Sequence, residues 1–330
     1  MEKDTPLHDF ARLTPDFIID SVESLGPLSD ARIFPLNSYE NRVYQIGLES
    51  DIPKRIIGKY YRPDRWTDEQ ILEEHLFTEE LAELEIPVVA PLTFKQQTLH
   101  HYEGFRFALY PQRGGRVAEL DNPQHLEWIG RFLGRIHLAA RHKAFAHRPA
   151  ISIESFAISS AQFLLQNNFI PDYLEEAYRS LSDDLISLLQ QRFSVSYESI
   201  RLHGDCHSGN ILWTDDGPHF VDFDDCRSGP AIQDLWMLLS GNTLEQQQQL
   251  NHVLDGYFEF AELEPGELQL IEPLRCLRLM HYASWLARRW TDPTFPMNFP
   301  WFNTTHYWEQ HILELREQYA VLQESLSLHI

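Results

Sequence analysis

Near the middle of the chain, two acidic positions flank a short hairpin, and this limits what the rest can fold into. Leu202-His203-Gly204-Asp205-Cys206-His207-Ser208-Gly209-Asn210 comes first, and Val221-Asp222-Phe223-Asp224-Asp225 follows shortly after. Between them, residues 211–213 and 219–223 read as apolar strands around the turn Thr214-Asp215-Asp216-Gly217-Pro218. Asp205 is placed to orient and deprotonate a hydroxyl, while Asn210, five residues on, folds back as a metal ligand. The hairpin then returns Asp222 to the same metal.

A base with two oxygen ligands for a hard cation suits phosphoryl transfer, which asks a protein for positioning and charge neutralisation rather than covalent chemistry. An ordinary turn between strands accounts for the glycines. It does not account for four carboxylates and an asparagine in a segment otherwise rich in buried-type residues. Zinc is the competing chemistry, because His203, Cys206, His207 and His219 are donors it favours. No second Cys pair follows, however, and Cys206 and His207 are adjacent rather than one helical turn apart. The phosphoryl-transfer reading is the stronger.

The chain has 330 residues, 43% of them apolar, enough for two lobes or one large domain with a sizeable core. A formal charge of −22 repels phosphate backbones and anionic lipid, so neither nucleic acid nor a membrane is expected as a partner. That balance serves solubility and is compatible with a cationic or neutral substrate. Because ATP is an anion, its site must gather Lys, Arg and backbone N–H groups locally, against the global sign. Cys206, Cys226 and Cys276 are odd in number and scattered, which points to reduced thiols in a cytoplasmic protein. Met1-Glu2-Lys3-Asp4-Thr5 shows no basic region leading into an apolar stretch, so no signal peptide is expected. No run of about 18 apolar residues occurs, so no membrane span is expected either.

Along the chain, Thr14 reads as the cap of an opening helix with Pro15 at its first position, ended by Gly26-Pro27. Strands are expected at 31–34, 41–48 and 55–61, then a helix over 68–85 with Leu72, Leu76 and Leu84 among its apolar positions. Further strands are expected at 92–95, 98–102 and 105–110. Pro111-Gln112-Arg113-Gly114-Gly115-Arg116 marks the boundary, giving an N-terminal lobe of residues 1–113 and a C-terminal lobe of residues 114–330. Trp128, Ile129, Phe132, Leu133, Ile136 and His137 recur at helical spacing over 124–143 and are expected in the core. Residues 156–192 and those from 231 onward read as helical, except 291–303, where three prolines among aromatics suggest a packed loop.

Phosphoryl transfer from a nucleotide asks three things of the first lobe. Lys59, on the strand Arg55-Ile56-Ile57-Gly58-Lys59-Tyr60-Tyr61, can reach the α- and β-phosphates. A carboxylate on the following helix can hold that lysine. Glu73 and Glu74 both qualify, helical rotation lets only one face the sheet, and Glu74 is preferred. The turn Leu36-Asn37-Ser38-Tyr39-Glu40-Asn41-Arg42 can cap ATP through backbone N–H groups and the Ser38 hydroxyl. It lacks the glycines of a Gly-x-Gly-x-x-Gly loop, and so has less backbone freedom.

Several segments together resemble the bacterial stress response kinase A family. They are Asn37-Ser38-Tyr39-Glu40-Asn41-Arg42-Val43-Tyr44, Tyr61-Arg62-Pro63, Gln70-Ile71-Leu72-Glu73-Glu74-His75, residues 202–213, Gln233-Asp234-Leu235-Trp236-Met237-Leu238-Leu239, Ala287-Arg288-Arg289-Trp290 and Asn298-Phe299-Pro300-Trp301. The resemblance implies an α+β, two-lobed protein-kinase-like fold akin to aminoglycoside phosphotransferases and choline kinases, with a small sheet and one long helix in the first lobe and a mainly helical second lobe. It implies an ATP- and Mg²⁺-dependent serine/threonine protein kinase that protects bacteria under stress. By position, Asp205 becomes the proton acceptor, Asn210 and Asp222 the Mg²⁺ ligands with Asp222 also essential to catalysis, and Ser38 an ATP contact. Asp234 would hydrogen-bond the catalytic-loop backbone. Asp224 or Asp225 would support a second metal, the other pairing with an arginine such as Arg227. Arg288, Arg289, Trp285 and Trp290 would line a substrate face or simply pack.

The leading expectation is a monomeric serine/threonine protein kinase with its ATP cleft between the lobes, able to phosphorylate itself at Ser-rich segments 152–160, 180–187 or 194–199. A small-molecule hydroxyl kinase of the aminoglycoside, choline or homoserine kinase type is the alternative, since base, metals and lobes would be the same. A non-catalytic ATP-dependent scaffold is disfavoured by the intact Lys59, Asp205, Asn210 and Asp222 set.

Overall fold

The computed structural model describes residues 9–50 and 52–324. The segment Met1-Glu2-Lys3-Asp4-Thr5, on which the signal-peptide expectation rests, lies outside the described residues. The chain folds into two compact units. One runs to Glu119 and adds Ala146–Arg148 and Ser208–Cys226; the other holds Leu120–Phe145, Pro149–His207 and the chain from Arg227. A single division at residue 113 is therefore too simple, because two later segments join the first unit.

In the first unit, helix α1 (Pro15–Glu23) starts where the Thr14 hydroxyl accepts the Phe17 N–H at 3.2 Å. Its inner face, Phe17, Ile18 and Val22, packs into a core with Ile46, Tyr60, Phe105, Phe107 and Leu109. That core covers one face of a five-stranded antiparallel sheet made of β1 (Ser29–Leu36), β2 (Arg42–Leu48), β3 (Arg55–Tyr60), β4 (His100–Tyr102) and β5 (Phe105–Pro111), in the order β1-β2-β3-β5-β4. The stretch before β4 forms no strand of its own. Phe94 and Gln97 pair across a tight turn in which Lys95 and Gln96 take positive φ.

The two-residue period of β3 puts Lys59 on the face opposite Tyr60, in register with Val43 and Ala108. Helix α2 (Asp68–Glu83) covers that face, its first turn closed by a reciprocal box between Thr67 and Gln70. Its buried side is Ile71, Glu74, His75, Phe77, Thr78 and Leu81, whereas Leu72, Leu76 and Leu84 point outward. Ile71, Phe77 and Leu81, together with the Glu74–Lys59 and His75–Tyr61 bonds, set which way this helix faces. The later hairpin pairs Ile211–Thr214 with Gly217–Phe220, and Arg116–Val117 adds a third strand. Its second strand ends at Phe220 because Asp222 turns left-handed at φ 59° and starts the 3-10 turn Phe223–Asp225.

The second unit is helical: α3 (Pro123–Ala140), α4 (Ser159–Gln166), α5 (Asp172–Arg192), α6 (Ile232–Trp236), α7 (Thr243–Tyr257), α8 (Ile271–Arg288), α9 (Thr294–Asn298) and α10 (Thr305–Gln323). One antiparallel strand pair joins Ile200–Leu202 to Arg227–Gly229. Helices α3 and α7 cross at backbone distance. A Cβ on Gly130 would stand 2.0 Å from the Val253 carbonyl oxygen, and one on Gly256 2.0 Å from that of Glu127. Ile129, Leu133, Ile136 and His137 are buried as their spacing predicts, while Trp128 is exposed. The proline-rich stretch contains α9, and Phe295, Phe299 and Phe302 anchor it in the core. Among the described residues, no helix is long and apolar enough to cross a membrane.

Candidate functional site

In the first unit, Lys59 is buried and faces three carboxylates: Glu74 Oε1 at 3.1 Å, Asp224 Oδ1 at 3.1 Å and Asp222 Oδ1 at 3.3 Å. Burial alone would push its ammonium down, but Asp224, Glu74 and Asp222 outweigh it and hold the pKa well above the ordinary lysine value. The partners differ in exposure. Glu74 and Asp224 are sealed in, whereas the Asp222 side chain is 53% exposed. One carboxylate beside the lysine is therefore open to an incoming cation.

The two adjacent glutamates of α2 divide their work. Glu74 faces Lys59 and also accepts Arg148 Nη2 at 3.0 Å, while burial pushes its carboxyl up despite both cations. Glu73 turns to the other side and collects three backbone N–H groups, from Ala146 at 2.6 Å, His147 at 2.9 Å and Arg148 at 2.7 Å. Arg148 thereby becomes a tie. It donates to the Asp224 carbonyl at 2.6 Å and the Gln70 carbonyl at 2.7 Å, with its guanidinium over the Trp66 ring. Long-range contacts of this kind leave no spacing signal; the one hint is an arginine stranded just before Pro149.

Asp224 and Asp225 share an arginine, and it is Arg65 from the loop after β3. Its guanidinium contacts Asp224 directly and lies 2.7 Å from Asp225 Oδ1. Burial would raise the Asp224 carboxyl, but Arg65 and Lys59 hold it down to about 2. Arg227, the arginine expected there, lies over the Phe156 ring in the other unit. A surplus of acids at 222–225 signals that cations must arrive, without saying from where.

Ser38 is half-buried and donates to the Asn41 carbonyl at 3.2 Å, inside its own turn. Arg62 fastens that turn through the Glu40 carboxylate and carbonyl at 2.9 Å and the Tyr39 carbonyl at 3.2 Å, while Asn41 Oδ1 accepts the Arg62 N–H. Arginine bonds thus stiffen a turn that has no glycine. On the hairpin side, the Val221 N–H donates to the Asn210 carbonyl at 3.0 Å, which pins the residue before Asp222 to Asn210. The half-exposed Asp222 carboxylate and the Asn210 amide oxygen are hard donors of the kind that suits Mg²⁺.

In the second unit, Asp205 is held on every side. Its N–H faces His203 Nδ1 at 3.4 Å and its carbonyl accepts the His207 N–H at 2.9 Å. Its Oδ1 accepts Arg278 Nη1 of α8 at 2.7 Å, and His207 Nε2 lies 3.5 Å from Oδ2. Arg278 was not legible in the sequence, since it lies 73 residues downstream. Behind this loop, fully buried Asp234 accepts the His203 and Gly204 N–H groups at 2.8 Å each and His137 Nε2 at 3.1 Å. Burial opposes its charge, but these bonds keep its carboxyl below the usual range. Arg288 lies over Phe163 and bonds the Ser159 carbonyl, and Arg289 lies over Trp285. Trp285 and Trp290 pack against Phe295, Phe299 and Phe302, so most of that group is structural.

Residues 32–270 match the phosphotransferase enzyme family. The chain belongs to that family. Over 315 residues it is 47% identical to stress response kinase A of Escherichia coli K12, covering 96% of this chain and 95% of the relative. A serine/threonine protein kinase RdoA of Salmonella typhimurium is 44% identical over the same share of each chain. Among solved structures, amicoumacin kinase hAmiN in complex with AMP-PNP, Ca²⁺ and Ami has a TM-score of 0.75 at 19% identity, covering 93% of this chain and 95% of that one. Choline kinase LicA of Streptococcus pneumoniae has a TM-score of 0.63 at 15% identity, covering 93% and 98%. These neighbours share the kinase-like α+β fold with it. As a member of the family, the protein is a phosphotransferase.

Proposed function

We propose that this phosphotransferase is a serine/threonine protein kinase of the bacterial stress response that uses ATP with Mg²⁺. The names of its relatives, stress response kinase A and serine/threonine protein kinase RdoA, support the biological setting and the acceptor class. One observation carries the nucleotide side: a buried lysine, Lys59, 3.3 Å from a half-exposed carboxylate, Asp222. In this reading Lys59 grips the α- and β-phosphates, Glu74 aims Lys59, and the Ser38 turn lies over the nucleotide. Asn210 and Asp222 would hold the metal, which when bound neutralises charge on the phosphate oxygens. Asp205 orients the acceptor hydroxyl and takes its proton as the new bond from that oxygen to the γ-phosphorus forms and the γ-phosphorus bond to the bridging oxygen breaks, releasing ADP. Asp234 keeps the Asp205 loop in shape from beneath.

The small-molecule kinases among the structural neighbours are too distant in sequence for their acceptors to count here. The test is phosphopeptide mass spectrometry after incubating the protein, alone and with cell lysate, with MgATP. Phosphoserine or phosphothreonine should appear with the wild type and be absent with Asp205→Asn. Within the chain, the exposed irregular stretch 194–199 offers Ser194, Ser196 and Ser199, whereas Ser182 is buried in α5. No labelled protein in either sample, with ADP release stimulated by an amino alcohol or aminoglycoside, would replace this reading with a small-molecule kinase.

A further inference from the structure

Arg278 stands out in a chain of charge −22, because it places a cation directly on the proposed base. One of its five N–H donors is used on Asp205 Oδ1 at 2.7 Å, and its side chain is 43% exposed. Among the described residues, Asp205 is its only polar partner. The neighbouring Arg275 differs, since Glu272 at 3.2 Å and Gln246 at 2.9 Å already occupy it. Four and seven residues beyond Arg278 on the same helix, Tyr282 and Trp285 stack with ring centroids 5.7 Å apart, and Tyr282 is 39% exposed.

We propose that Arg278 selects the acceptor by charge, and that the preferred substrate is a Ser or Thr flanked by acidic residues. The inference rests on the reading of Asp205 as the base. Any hydroxyl that hydrogen-bonds the Asp205 carboxylate brings its neighbouring groups within a few ångströms of the Arg278 guanidinium. A carboxylate there meets open N–H donors and an opposite charge. An ammonium there meets repulsion, and at about 6 Å in a partly screened surface the difference is about tenfold or more in binding. The Tyr282–Trp285 pair offers an aromatic platform on the same helix face, suited to an extended peptide. The acidic balance of the whole chain suggests a cationic substrate, but one guanidinium at the reacting point outweighs distant surface carboxylates that salt screens.

Two peptides test this, identical except that Glu or Lys residues flank a single Ser, each assayed with MgATP for the wild type, Arg278→Gln and Arg278→Lys. The wild type should use the Glu-flanked peptide about tenfold better or more in kcat/KM. Arg278→Gln should lose that preference, Arg278→Lys should keep it, and added salt should shrink it. Equal use of both peptides, preference for the Lys-flanked one, or Arg278→Gln slowing both by the same factor would overturn the proposal. A parallel arm compares a small hydroxy acid with an amino alcohol. If neither peptide is phosphorylated, the protein-kinase reading fails on its own. A hydroxy-acid preference lost in Arg278→Gln would then still support charge selection, and an amino-alcohol preference would overturn it.

Discussion

Glu74 and Arg148 are joined at 3.0 Å through Oε2, which leaves Oε1 for Lys59 at 3.1 Å. The carboxylate that holds Lys59 is thus itself held, and each half has one cation. Arg148→Met leaves Glu74 half-compensated in a sealed site, and breaking such a buried pair costs about 3–5 kcal/mol. Glu74→Gln removes the charge that Arg148 answers, so the double variant should lose less stability than the two single losses added together. Urea denaturation of the four proteins measures this. Strict additivity would mean that Arg148 acts elsewhere.

Metal dependence separates Asn210 from Asp222. On the metal assignment proposed above, Asn210→Ala removes a neutral ligand and Asp222→Ala a charged one, so both should raise the Mg²⁺ needed for half-maximal activity. Excess Mg²⁺ should rescue Asn210→Ala more fully. A titration of activity against Mg²⁺ that superimposes on the wild type for both variants would remove them from the metal site.

Asp234→Asn should damage the Asp205 loop without touching nucleotide. The carboxylate accepts two backbone N–H groups and one imidazole, and an amide must turn its own N–H₂ toward one of these donors. Each buried group left unsatisfied costs about 1–3 kcal/mol. Displacing Asp205 by about 1 Å can cost about 10²-fold in rate. The expected pattern is a lower kcat with the KM for ATP changed little; an unchanged kcat would mean that the loop holds its shape without Asp234.

Stability should fall with acid partly through His75. Burial, together with the Lys59 and Arg148 charges, holds this histidine down to about 3, whereas an unfolded histidine titrates near 6.5. Between those values the unfolded chain binds more protons than the folded one. The stability His75 contributes is therefore complete above about pH 6.5 and is lost progressively toward pH 3, by at most about 1.4 kcal/mol per pH unit. His75→Gln should flatten the dependence of unfolding free energy on pH by that amount between about pH 7 and pH 5. His311, lowered to about 4 by burial, adds a slope that both proteins share. Parallel curves would show that His75 is not the group being titrated.

Much of the candidate site is legible in the sequence because its polar residues interrupt apolar strands at fixed intervals. Asp205, Asn210 and Asp222 stand out for that reason, and the Thr14-Pro15 start of α1 reads directly from capping chemistry. Where the inner face of a helix is partly polar, the pattern misleads. Leu72, Leu76 and Leu84 look like a core stripe on α2, but the helix turns Glu74 and His75 inward, where they meet Lys59 and Tyr61, while the buried Thr78 hydroxyl bonds the Glu74 carbonyl of its own helix. Arginine partners were the other blind spot. Arg65, Arg148 and Arg278 meet their carboxylates across 159, 74 and 73 residues, and no local periodicity encodes such a meeting.

The ion cluster around Lys59 also sets a timetable for synthesis. Lys59 leaves the ribosome with the sheet, yet Asp222 follows 163 residues later. At about 5–20 residues per second that is a wait of roughly ten to thirty seconds. Meanwhile the strands can pair, since their contacts are close in sequence. The lysine meanwhile has Glu74 but neither aspartate, and Glu73 lacks the backbone segment it holds until residue 148 emerges. A chain ending at residue 119 should therefore form its sheet with the charges of Lys59 and Glu73 only partly answered.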